Sequence, residues 1–153
     1  MPTPAKLVAA LLFAGLCWYC GHLLWTESMP EGARIGWFRE ILAAGGLVVG
    51  WKYIGRTATG PMGRGNRLAY CITAGIGGAV IMFLLTFALH SAYATLEESL
   101  SSKYTEVGLA AEAWMEYAVA DAKLAANPLL LAVAFAGSAA IGLIAGLVGR
   151  MAR

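Results

Sequence analysis

The stretch CWYCGH at 17–22 concentrates the soft donors of this chain, two cysteines three apart with a histidine close behind. Such a set can attach haem, form a redox dithiol, ligate a metal, or simply pack inside a helix. Covalent haem attachment uses C-x-x-C-H, with the histidine directly after the second cysteine, and here Gly21 intervenes. A redox pair wants an exposed thiol stabilised as thiolate at a helix N-terminus or beside a cation. Cys17 and Cys20 instead lie deep in an uncharged run, a setting that blunts thiolate reactivity. They read as inert small residues of a helix, with thiol redox as the speculative alternative.

The other donors do not complete a site. Cys71 stands near the start of a later apolar run, and counting along each run separates it from Cys17 by about 10 Å in depth at 1.5 Å per residue. Metal–sulfur bonds of roughly 2.3 Å do not bridge that gap, so no metal site is expected. His22 and His90 differ by a similar depth, which leaves bis-histidine haem as a minor alternative and no cofactor as the expectation. The segment GRTATGPMGRGNR at 55–67 combines glycine with arginine but lacks the G-K-[ST] ending of a phosphate loop. Lys52, Arg56, Arg64 and Arg67 are read as contacts to anionic lipid, with an oxyanion as the sharper alternative.

Small residues carry the firmest interaction signal. Ser138, Gly142 and Gly146 recur every fourth residue, and Gly46 with Gly50 makes a second such stripe. Without a hydrophobic drive between helices in lipid, close backbone approach at small residues supplies the association. The plain expectation is packing within one chain. The sharper one is a seam for a second copy or a larger membrane complex.

The elements that must position these residues follow from composition. Of 153 residues, 59% are hydrophobic and 13% charged, against about 25% charged in ordinary soluble domains. Leu7 to Thr26, Leu68 to Leu96 and Leu124 to Gly149 contain no formal charge, and each reaches the ~20 residues needed to cross a hydrocarbon core. A fourth segment, 37–54, is about 27 Å long as a helix, with Lys52 placed to snorkel. The first run exceeds a signal-peptide h-region and lacks a good cleavage site, so it reads as an uncleaved anchor.

Charge decides whether the fourth segment spans. With four spans and a cytoplasmic N-terminus, Lys6, Lys52, Arg56, Arg64, Arg67, Arg150 and Arg153 lie inside, and all nine acids lie outside. Three spans would invert the positive-inside bias. The expectation is therefore an all-α integral membrane protein, one transmembrane domain over 1–153. Its spans are at about 6–25, 37–54, 68–90 and 128–149, and both termini are cytoplasmic. Asn127-Pro128 supplies an N-cap and a first-turn proline for the last span.

Between the third and fourth spans, residues 91–127 read as an outer amphipathic segment. Val107, Ala111, Trp114, Met115, Ala118 and Ala122 share one helical face, opposite Glu112, Glu116 and Lys123. The expected partners are membrane lipids, with no nucleic acid. No span holds a buried acid, Glu40 near an interface excepted, so neither ion transport nor a catalytic constellation is indicated.

The peptides MPTPAKLVAALLFAGLCWY, MPEGARIGWF and GGLVVGWKYIG, followed by a long outer segment and a last span, resemble the TrgA-like tellurium-resistance proteins of alphaproteobacteria. The resemblance implies a small multi-pass protein of the inner membrane that takes part in tellurite resistance without catalysis. Cys17, Cys20 and Cys71 fall outside its pattern. The alternatives are an accessory subunit of a respiratory or photosynthetic membrane complex and, behind it, a haem- or thiol-based redox protein.

Overall fold

The computed structural model describes residues 3–28, 37–58, 67–100 and 107–151, and every element among them is helical. In chain order these are α1 (Pro4–Ser28), α2 (Phe38–Val49), a π-helical turn (Gly50–Ile54) running into the short turn Gly55–Thr57, α3 (Arg67–Leu100), α4 (Val107–Ala125) and α5 (Pro128–Met151). Three of the helices, α1, α3 and α5, are long and apolar enough to cross a membrane.

Their burial pattern suits a bilayer. The interior is built from small residues, with Ala9, Ala145 and Ser138 fully enclosed, around Phe13 and Ile54. Large apolar side chains such as Leu11, Leu84 and Leu147 point outward, where water would penalise them and hydrocarbon does not. The protein is a helical membrane protein.

The α2 segment lies antiparallel along α1 with glycine at each close approach. A Cβ on Gly46 would come within 2.7 Å of the Cys17 sulfur, and one on Gly50 within 2.7 Å of the Ala9 carbonyl oxygen. Gly55 repeats this against the Lys6 Cα at 2.7 Å. In a regular α-helix Gly55 would sit about 140° around the axis from Gly50, since five residues turn roughly 500°. The π turn removes that error: the Gly55 N–H donates to the Gly50 carbonyl, five residues back, and the widened turn brings Gly55 round to α1.

The second seam joins α3 to α5. Gly75 meets the Ser138 carbonyl, Gly142 meets the Cys71 carbonyl, and Gly146 meets the Cys71 sulfur, so here backbone lies on backbone. The start of α5 is as Asn127-Pro128 predicts, with Asn127 Oδ1 accepting from the Leu129 N–H at 2.9 Å.

The helix that carries the third apolar segment runs on past residue 90: α3 continues unbroken to Leu100, because no proline or glycine follows Gly78 to end it. Its 34 residues make about 51 Å of helix, well beyond a 30 Å core. The separate amphipathic element is thus α4 alone.

The face of α4 that packs on the bundle differs from its apolar stripe. Val107 is 89% and Met115 58% exposed, whereas Ala113, Tyr117 and Asp121 are partly covered and Ala125 is buried. The buried line is about a quarter turn from the apolar stripe. Directional bonds account for this: the Trp114 indole N–H donates to the Ala88 carbonyl at 3.3 Å, and Asp121 finds partners on α3. An apolar stripe can rest on many surfaces, while a carboxylate near the bundle must be hydrogen-bonded.

Candidate functional site: a His–Asp pair above an apolar cavity

The acidic end of the bundle holds the polar constellation that sequence reading passed over. His90 closes the apolar part of α3, and Asp121 lies in the last turn and a half of α4. The antiparallel α3–α4 pairing brings them together across 31 positions, His90 Nδ1 to Asp121 Oδ2 at 2.8 Å. The Ser91 hydroxyl donates to the same oxygen at 3.3 Å. The other carboxylate oxygen, Oδ1, accepts from no described residue. The His90 side chain is 47% exposed and that of Asp121 17%, so the carboxylate is the more sheltered partner. The Phe38 ring meets His90 edge-on, with centroids 6.1 Å apart.

Beneath the pair lie two contiguous cavities. The outer one, about 170 Å³, is bordered by Trp25, Phe38, Phe87, His90 and Asp121. The inner one, about 80 Å³, reaches down to Phe13, Leu16, Met82 and Phe83 and shares Gly21, Leu24, Phe38, Thr86, Phe87 and Ala125 with the first. Thr86 spends its hydroxyl proton on the Met82 carbonyl at 2.8 Å. No lysine or arginine borders either cavity.

A Ser-His-Asp relay would need the serine hydroxyl on the free imidazole nitrogen. Ser91 donates to the carboxylate instead, so the trio is a clamp and not a nucleophile with its base. The sequence offered one weak signal, a lone acid on the α4 face that carries Ala113, Tyr117 and Ala125. Nothing local couples it to His90.

The residues singled out from sequence go to other places. Cys17 is buried at the α1–α2 seam and borders the inner cavity with half-buried Cys20, while Cys71 is buried at the α3–α5 seam, its sulfur 3.9 Å from the Ala58 carbonyl. All three are free thiols, and no three potential ligands converge on a metal position among the described residues. His22 stacks on Trp18, with centroids 5.9 Å apart, and the Arg39 guanidinium lies 5.2 Å over the same indole. The two histidines therefore serve different neighbours. Lys52 and Arg56 are exposed at the basic end, Arg67 begins α3, and Arg64 lies outside the described residues. Gly46 and Gly50 face α1, and Ser138, Gly142 and Gly146 face α3. Compared with family models, curated proteins and solved structures, the chain matches none.

Proposed function

We propose that this chain is a four-span protein of the bacterial inner membrane that takes part in tellurite resistance without catalysing a reaction. Both termini and the basic 52–67 connection face the cytoplasm. The supporting observation is the seat of α2 and its π turn along α1 from the level of Gly21 to that of Lys6, about 22 Å at 1.5 Å per residue. A re-entrant segment would turn back before covering such a length. Charge adds to this, since the four-span arrangement puts Lys6, Lys52, Arg56 and Arg150 on the inner side, and Glu27, Glu40, Glu97 and Asp121, with the cations Arg39 and Lys123, on the outer. The tellurite link rests on the three peptides that resemble the TrgA-like proteins.

Two measurements test the reading. An alkaline phosphatase moiety fused after Arg153 should be inactive, and a green fluorescent protein there should fluoresce. The reverse result removes the four-span arrangement. Deleting the gene from its host should lower tellurite tolerance at least several-fold, and restoring it should recover the loss. Unchanged tolerance removes the resistance role and leaves the topology standing.

A second reading, an accessory subunit of a larger membrane complex, is favoured by the apolar surface of the acidic end. Leu100 and Val107 are 88% and 89% exposed, with Leu96 and Met115 also uncovered, beyond the length that hydrocarbon would bury. Native mass measurement after mild extraction decides it. Stoichiometric co-purifying chains support this reading, and a lone monomer counts against it.

A further inference from the structure

We propose that the cavity at the acidic end binds the ammonium head of an amphiphile, with Asp121 as its counter-charge and Trp25, Phe38 and Phe87 as its aromatic walls. The charge balance of the site argues for a cation. Its carboxylate is four-fifths covered, and of the cavity's bordering residues only His90 can carry a positive charge. No lysine or arginine borders either compartment, so an anionic head would find no counter-charge there. His90 and Ser91 both bind Oδ2, and Oδ1 has no donor among the described residues. A carboxylate has about four lone-pair positions, and an ammonium head is a donor or point charge able to use the open ones.

The walls agree with that chemistry. Aromatic faces attract cations through their quadrupoles, and rings grouped around a carboxylate are the common recognition mode for methylated ammonium groups. Size agrees too. A cavity of about 150 Å³ admits a benzene ring, and the outer compartment, at about 170 Å³, takes a head of that order. The inner compartment is smaller, about 80 Å³, and its side-chain heteroatoms are the Cys17 and Cys20 thiols, the Met82 thioether and the Thr86 hydroxyl, already bonded to the Met82 carbonyl. It suits a few methylenes of the attached chain and nothing charged.

The source of the ammonium group is either an aminophospholipid or a free lipophilic cation, and the same experiment separates them. The full-length protein is purified in a neutral maltoside. Decyltrimethylammonium, decyl sulfate and decanol are then titrated below their micellar concentrations, with affinity and thermal midpoint recorded. The cation should bind and raise the midpoint, and the sulfate and alcohol of equal chain length should do neither. Asp121→Asn, nearly isosteric, should weaken the cation about tenfold, the usual scale for losing one charge-assisted contact. Helicity by circular dichroism should stay unchanged. Phosphatidylethanolamine retained by the wild type in native mass spectra and lost from Asp121→Asn identifies the lipid as the source. Cation binding with no retained lipid identifies a free amphiphile.

Equal binding of cation and sulfate, or an Asp121→Asn protein that binds the cation as the wild type does, overturns the proposal and leaves the pair as a clamp between α3 and α4. Should Asp121→Asn not fold, Trp25→Leu and Phe38→Leu decide, since both keep the His90–Asp121 pair. Weaker cation binding supports the site, and unchanged binding overturns it. The membrane reading above enters only through the source of the amphiphile, and the fusion reporters test it independently of these titrations.

Discussion

Replacing Gly142 by alanine should cost this protein roughly 1–3 kcal/mol, the scale of forced overpacking in a close-packed interior. The added methyl would meet the Cys71 carbonyl and the Gly75 nitrogen, the latter at 2.9 Å, and both are backbone atoms held in α3. No rotamer change removes that overlap. The helices must part, and because dispersion falls steeply over half an ångström, contacts along the whole seam weaken with them.

Two other glycines calibrate the result. A methyl at Gly15 meets nothing within 4 Å, so Gly15→Ala should be neutral or stabilising by up to about 1 kcal/mol through helix propensity. A methyl at Gly45 meets the Met82 Cε at 2.7 Å, the free end of a flexible side chain, and should fall between the two. Unfolding in mixed micelles titrated with dodecyl sulfate gives the three midpoints side by side. If Gly142→Ala proved as stable as Gly15→Ala, the backbone contact between α3 and α5 would not exist as described.

Deleting a single residue from the α2 segment should have opposite consequences depending on where the deletion falls. Removing Leu47 rotates everything before it by about 100° relative to everything after. Gly46 and Gly50 then stand three positions apart, turned about 100° from their present relation, so the close approaches to Cys17 and to Ala9, where a Cβ has no room, can no longer both be kept. The loss should exceed about 4 kcal/mol, in the exceptional range for point changes, and little folded protein should be recovered. Removing Lys52 acts inside the π turn. The turn holds one residue more than an α-helix needs, so its loss restores regular geometry and leaves Gly46, Gly50 and the residue at 55 on the same face. Lys52 is exposed. That variant should fold with a midpoint close to wild type. Comparable damage from both deletions would show that the π turn does not correct the glycine register.

Much of the helical framework was legible in one dimension. The uncharged runs from Leu7, Leu68 and Leu124 correspond to α1, α3 and α5, and Asn127-Pro128 marks where α5 starts, because solvation and capping are settled by neighbouring residues in the chain. The stripes Gly46/Gly50 and Ser138/Gly142/Gly146 were visible as positions lacking side chains. Their partners were not: Gly75, Gly55 and the carbonyl oxygens of Ala9, Cys71 and Ser138 come into contact only once the helices are paired. The continuation of α3 to Leu100 follows from its lack of breakers after Gly78, and Glu97 and Glu98 extend the helix beyond its uncharged run.

By itself, then, the order of residues determined which stretches are helical, how long and apolar they are, and where the backbone is left bare. Tertiary structure alone decided the rotation of α4, the widened turn at Gly50–Ile54, and the meeting of His90 with Asp121 over a cavity with aromatic walls. The physical reason is range. Hydrophobicity and helix propensity act over a few neighbouring positions, whereas helix pairing and the satisfaction of a sheltered carboxylate depend on groups brought together from distant parts of the chain.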